Sequence, residues 1–260
     1  MFVNFSVTLV CLGFLFGAVA GSFFNVIALR TVLERPWWGK ERSCCRSCGR
    51  TLSTIDLIPI LSWVILRGRC RTCKAPIPLR YPLVELVYGL WAAAALWRWG
   101  LSISGGIAIL GGWLMMLNAL TDLESGYIYD SLAASVGGVG LLVRLVGGWG
   151  ALVDGGLGAL AAASVIAVII VLSRGGMGWG DATLMAGAGA LLGWKMGLLA
   201  TYLGFMIGGV SAVGLLITKK AARKDAVVLA PFLAAGVLCT LLWGPNILDY
   251  WGQAPGWPWS

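Results

Sequence analysis

Long apolar runs separated by short polar loops dominate the chain, and the runs do not alternate strictly. Eight of them are long or apolar enough to be read as helices crossing a membrane: residues 2–29, 80–97, 103–120, 131–146, 152–172, 182–194, 196–217 and 227–243. The absence of a two-residue alternation argues against a β-barrel. The pattern therefore predicts an all-α polytopic membrane protein with about eight transmembrane helices. Its domains are a first transmembrane helix (1–30), a small module (31–80), a transmembrane bundle (81–245) and a Trp/Pro-rich tail (246–260). The first run looks superficially like a secretory signal, but no basic residue precedes it, so it is read as an uncleaved span.

Composition agrees with this pattern. The chain is 59% hydrophobic and only 12% charged, about half the charge of a soluble domain. The net charge is +8. Basic loops of membrane proteins set orientation, so nucleic acid is not an expected partner; membrane lipid is. Eleven of the nineteen Lys and Arg residues lie between Arg30 and Arg80. With that module placed in the cytoplasm and the spans alternated, sixteen of the nineteen fall on the inner side; only Arg98, Arg144 and Lys195 do not. Both termini, and the tail without Lys or Arg, fall on the outer, periplasmic side.

The module between the first two spans carries five of the seven cysteines. Cys45 and Cys48 form one C-x-x-C pair, Cys70 and Cys73 a second, and Cys44 is left over. Two such pairs can hold one tetrahedral zinc ion on four thiolates. Two disulfides are the alternative, disfavoured in a reducing cytoplasm. Structural Zn2+ is the expected cofactor, supplying much of the folding energy of so small a module. Residues 56–69 between the pairs are apolar on one side, which suits either a segment lying on the inner membrane surface or the module's own core. Cys11 and Cys239, alone in apolar spans, read as core residues.

Polar groups inside the spans are few. Asn25, near the end of the first, reads more readily as an interhelical hydrogen-bonding group than as a catalytic one. Glu85 enters the second span and is expected to pair with Arg80 or with a basic residue of the module. Small residues at Gly17, Ala20 and Gly21 permit a close helix contact.

The chain has no histidine, which removes Ser-His-Asp, Cys-His and histidine-zinc catalysis. Acid–base chemistry must then come from carboxylates, Cys, Tyr or Lys. The stretch Gly175-Gly176-Met177-Gly178-Trp179-Gly180-Asp181 ends in a carboxylate at the edge of a span. Taken alone it is either a glycine stop followed by an aspartate cap or a functional site. The topology places Asp181 on the same side as Asp122, which shares its loop with Glu124 and Asp130. Two carboxylates at one depth can share a proton, one activating water and the other protonating a carbonyl. A cation or proton relay in a transporter is the alternative. A non-catalytic zinc-module scaffold for pilus or secretion assembly is a third reading.

These motifs together resemble the bacterial type IV prepilin peptidases, membrane aspartic proteases of the Gly-x-Gly-Asp type. The resemblance rests on Gly176, Gly178, Gly180 and Asp181; on Asp122 with Asp130 at the family's offset; and on Gly21-Ser22-Phe23-Phe24-Asn25-Val26. It rests also on the four paired cysteines and on the segments around Asp56-Leu57-Ile58-Pro59, Leu66–Cys70 and Arg80–Glu85. It implies Asp122 and Asp181 as catalytic residues. It implies type IV prepilins or type II secretion pseudopilins as substrates, cut after a leader glycine at the cytoplasmic face of the bacterial inner membrane. It also implies N-methylation of the new N-terminus from S-adenosylmethionine. The chain departs from the family at Thr183, where lysine is common, at Tyr129 and Arg46, where proline is usual, and at Leu229-Ala230, where Phe-Gly is common before Pro231-Phe232.

Overall fold

The computed structural model describes residues 7–38, 42–174, 176–218 and 228–259. Gly175, the first residues of the first span, the 219–224 basic loop and the expected start of the eighth span lie outside them. The chain forms two compact units, residues 1–100 and 101–260. Among the described residues the regular elements are helices, with only two isolated bridges of β type. Among the described residues, five helices are long and apolar enough to cross a membrane. The all-α class expected from the apolar runs is what the chain adopts, and the protein is a multi-pass membrane protein.

In the first unit, α1 (Val7–Val32) packs along α3 (Arg80–Trp99). Gly13, Gly17 and Gly21 recur every four residues and so share one face of α1. A methyl group at Gly17 would collide with the Tyr88 carbonyl and with Ala92, so the glycines let two backbones approach as small residues do in membrane helix pairs. Ala20, grouped with them in the sequence reading, is only half-buried. Between α1 and α3 the chain makes a 3₁₀ turn at Thr54–Leu57 and the short helix α2 (Leu61–Ile65). The Trp63 indole donates to the Ile77 carbonyl at 3.1 Å. Ile55, Leu57, Ile58, Leu61, Val64 and Ile65 remain exposed. The 56–69 segment thus keeps an apolar face outward instead of burying it in the module.

The second unit is built around α7 (Trp179–Leu192), of whose 14 residues ten are buried. Around it stand α4 (Ile103–Ser125), α5 (Asp130–Val146), α6 (Gly148–Leu172), α8 (Trp194–Ile217) and α9 (Ala230–Tyr250). Gly189 of α7 crosses Gly158 of α6 backbone to backbone, where no Cβ fits on either side. Gly193, at φ 86°, stops α7 and starts α8 at once. At 1.5 Å per residue α7 reaches only about 21 Å, short of the roughly 30 Å apolar layer of a bilayer. Its surroundings, more than its length, make it tenable.

The ends of the bundle differ from the sequence expectation. α4 continues five residues beyond Leu120, because Gly126 in the left-handed region closes it with an N–H bond to the Asp122 carbonyl. α9 runs on to Tyr250 with Pro245 inside it, so the tail starts later than residue 246. That tail packs against the protein: Trp259 is 2% exposed, the Pro258 carbonyl accepts from Ser104 Oγ at 2.7 Å, and the Ala254 carbonyl accepts from Lys195 Nζ at 3.1 Å. The three basic residues that break the charge rule each have a local partner. Arg98 sits 4.4 Å above the Trp99 ring, Lys195 bonds the tail, and Arg144 pairs with Asp154 at 2.8 Å.

Candidate active site and metal centre

Asp122 and Asp181 reach the same end of the second unit from opposite chain directions, one in the last turn of α4 and the other in the first turn of α7. They are 6% and 7% exposed, and close enough for the charge of Asp122 to act on Asp181. Asp122 Oδ2 accepts the backbone N–H of Ala230 at 3.1 Å. That N–H opens α9 and is one of the donors a helix start leaves unsatisfied. Pro231, in the first turn of α9, donates nothing. Asp181 Oδ1 is buried with no hydrogen-bond partner among the described residues. Glu124 and Asp130 are exposed; neither joins the pair.

The motif glycines act differently from one another. None of Gly176, Gly178 and Gly180 has a positive φ. Gly180 packs against Ile128, where an added Cβ would sit 2.9 Å from the Ile128 Cβ. This close approach seats the start of α7 on the loop that follows α4. Gly178 is the extended N-cap of α7, so Asp181 lies inside the helix and is not its cap. Thr183 bonds back to the Trp179 carbonyl at 3.3 Å, one turn earlier. Tyr129 is the N-cap of α5 and makes no side-chain cap bond.

In the first unit, Asn25 is 1% exposed and its Oδ1 has no hydrogen-bond partner among the described residues, so the expected interhelical bond is not made through that oxygen. Glu85 does not pair with Arg80; its Oε2 accepts the Ile60 N–H at 2.7 Å. The expectation of an ion pair is corrected: the segment before α2 presents a backbone donor closer to Glu85 than any guanidinium.

Cys45, Cys48, Cys70 and Cys73 place their four sulfurs within 4.8 Å of one another, and none is bonded to another. Cys45 Sγ and Cys73 Sγ are 3.8 Å apart. A tetrahedral ion with ~2.3 Å Zn–S bonds holds its sulfurs about 3.8 Å apart, whereas a disulfide needs about 2 Å. Cys44, the leftover thiol, is exposed and is not part of this cluster. The two halves are built alike. Cys45 exchanges backbone bonds with Gly49 and Arg50, as Cys70 does with Lys74 and Ala75. The fifth residue of each turn has a positive φ, 69° at Gly49 and 59° at Lys74. The N–H groups of Cys48 and Ser47 aim at Cys45 and lower its thiol to about 6; those of Cys73 and Thr72 lower Cys70. At Cys73 the Ala75 N–H acts in the same sense, but desolvation and the crowd of neighbouring thiols push it up to about 11. Four such thiolates coexist comfortably only around a cation, so the residues fit a divalent metal. Treatment with a strong chelator, or Cys70→Ser, is expected to unfold the module. Stoichiometric zinc by mass spectrometry, lost in the variant, checks this.

Asp56 fastens the two halves together. Its carboxylate, 4% exposed, bonds Arg50 at 2.6 Å and Arg71 at 2.9 Å. Arg71, then the Ser53 hydroxyl and N–H and the charge of Arg50, hold it at about 2, below the usual 3.8. Because the folded value is depressed, the contribution is complete above the ordinary carboxylate range and is lost as pH falls from about 4 through about 2. Asp56→Asn is expected to lower the module's thermal stability at pH 7 and to flatten its acid dependence in that window. Thermal melts across pH read this directly.

Two family models match the chain: the bacterial peptidase A24 N-terminal domain over residues 15–99 and the type IV leader peptidase family over residues 108–213. Proteins named prepilin leader peptidase/N-methyltransferase are similar along nearly the whole length. That of Aeromonas hydrophila is 32% identical over 266 residues, covering 92% of each chain. That of Burkholderia pseudomallei (strain 1026b) is 34% identical, covering 88% of this chain and 83% of its own. That of Bacillus subtilis (strain 168) is 32% identical, covering 92% and 96%. No solved structure matches. The first model falls on the cysteine module with α1 and α3, the second on the unit holding Asp122 and Asp181 and, with identity sustained across both, the chain belongs to the type IV leader peptidase family.

Proposed function

We infer that this protein cleaves the leader peptide of type IV prepilins or type II secretion pseudopilins and then methylates the new N-terminal amine from S-adenosylmethionine. Asp122 and Asp181 are the catalytic pair. The observation that carries the reading is their convergence: two buried carboxylates from separate helices, within electrostatic reach, in a chain without histidine. One is protonated and donates to the scissile carbonyl oxygen. The other, ionised, takes a proton from the attacking water. The Ala230 N–H at Asp122 Oδ2 stabilises the ionised form there. Asp181 Oδ1, without a partner, is the oxygen available to water or substrate.

The protein crosses the bacterial inner membrane eight times, with the cysteine module cytoplasmic and its exposed apolar face on the inner membrane surface. A structural zinc ion sits on Cys45, Cys48, Cys70 and Cys73 and holds the two turns of the module together. Asn25 and Glu85 support the first unit. The test is the purified full-length chain incubated with a prepilin and S-adenosylmethionine, followed by weighing the product. The expected product lacks its leader and carries one added methyl group. Uncut prepilin overturns the peptidase reading; a cut but unmethylated product overturns the methylation.

A further inference from the structure

Asn118 is a polar side chain in the third apolar run, and the catalytic steps above make no use of it. It stands on α4 in the interior of the second unit, 0% exposed, and its Oδ1 is buried with no hydrogen-bond partner among the described residues. Its Nδ2 donates to the Leu114 carbonyl at 2.9 Å, one turn back along the same helix. That bond fixes the amide, because turning it over would set one carbonyl oxygen against another. Oδ1 is therefore held as an acceptor in an apolar interior, where a carbonyl without a donor is costly.

Asn118 lies four residues before Asp122, so the two share one face of α4, with Cβ atoms about 5–6 Å apart. Helical side chains lean toward the N-terminus, which carries the Asp122 carboxyl back over the turn that holds Asn118. The hydroxyls of this stretch are already used. Thr121, 0% exposed, donates to the Asn118 backbone carbonyl at 2.9 Å, and Ser125 donates to the Thr121 carbonyl at 2.8 Å. With those donors spent on the helix itself, the group on this face that can give a proton to Asn118 Oδ1 is Asp122 in its protonated form. Asp122 Oδ2 takes the Ala230 N–H, which leaves its other oxygen to carry that proton.

We propose that Asn118 is a positioning residue of the peptidase: its Oδ1 accepts the hydrogen bond of Asp122 whenever Asp122 is protonated. The proposal rests on the peptidase reading above and adds a third member to the site. As water adds to the scissile carbonyl carbon, Asp122 takes one water proton and Asp181 gives its own to the carbonyl oxygen. Asp122 is then a carboxylic acid, and its O–H is directed to Asn118 and not to the carboxylate of Asp181. When the C–N bond breaks, that proton passes to the leaving nitrogen, and a hydroxyl of the intermediate returns one to Asp181. The Ala230 N–H favours the ionised Asp122 and Asn118 the protonated one, so the two contacts serve opposite halves of the cycle.

The test is steady-state cleavage of a prepilin by the full-length protein in detergent, measured across pH, with Asn118→Leu and Asn118→Ser. Leucine fills a similar space without an acceptor. Serine keeps a back bond to the Leu114 carbonyl, as Thr121 makes to Asn118, but is too short to reach Asp122; it carries the test if the leucine variant does not fold, which melting temperatures report. Both are expected to lower kcat about tenfold, the size of one lost hydrogen bond, with KM unchanged. Both also move the pH profile of kcat to lower pH by about half a unit or more, because only the protonated form gains from Asn118. The elements packed against α4 are α5, α7 and α9. Among the described residues the charged groups they bring to this end are Asp130 and Asp181, α9 bringing none, and α4 itself adds Glu124; neither variant alters any of these. Wild-type kcat in the folded variants overturns the proposal. So does a lower kcat on an unmoved pH profile, or a raised KM at unchanged kcat. A wild-type protein that cuts nothing, or Asp122→Asn that cuts at the wild-type rate, overturns the peptidase reading and this one with it. An active wild type, an inactive Asp122→Asn and unaffected Asn118 variants overturn this one alone.

Discussion

Asp181→Asn is expected to lower the single-turnover rate of leader cleavage by about 10³-fold or more, the size of effect seen when acid–base catalysis is lost, with helix content and melting temperature unchanged. The side chain keeps its shape but can no longer exchange a proton with water or substrate. Asp122→Asn is expected to give a similar loss. Its amide oxygen can still accept the Ala230 N–H, so the start of α9 stays in place and the loss reads as chemistry and not as misfolding. The double variant should be little worse than either single one, because the two carboxyls work as a unit. Near-wild-type cleavage by either single variant removes the pair from the mechanism.

The second large effect is expected at the other end of the same helix. Arg144 is 1% exposed; it donates to Asp154 and to the Ala151 carbonyl, and reaches the Leu191 carbonyl of α7. Asp154 in turn accepts the Trp194 N–H at 3.4 Å. The pair thus ties α5 and α6 to the point where α7 turns into α8. Asp154→Leu leaves the guanidinium buried and unpaired, and is expected to cost about 3–5 kcal/mol. Arg144→Met strands a carboxylate that is 24% exposed, against 1% for the guanidinium, so it should cost less than Asp154→Leu. Combining the two should recover most of the loss, because it is the unpaired charge that destabilises. Melting temperatures in matched detergent measure all three; simple additivity of the single variants contradicts this account.

What the sequence made legible followed from long-range averages. Apolar runs gave the helices, because hydrocarbon tolerates little else. The paired cysteines were readable because tight C-x-x-C turns have few alternative uses. Helix ends were less readable. The apolar run ended at Leu120, yet α4 continues to Ser125, where Gly126 in the left-handed conformation closes it. The Ala230 N–H at Asp122 could not be found from side-chain chemistry, since every residue except proline carries that donor. Pro231 was the available clue, as it marks a helix start whose free N–H groups need an acceptor. Arg144 and Asp154 lie ten residues apart across a helix turn, outside any helical period, so their pairing had no sequence signal. Arg144 registered instead as an exception to the charge rule.

The position of residues 254–259 bears on how the molecule is made. They pack onto Gly147, Asp154, Lys195 and the start of α4, segments that leave the ribosome up to about 150 residues earlier. The Ser104–Pro258 contact spans 154 residues, so the closing of that end of the bundle is a non-local event that pays its loop-closure entropy before the contact forms, and it belongs to the late, slow part of folding.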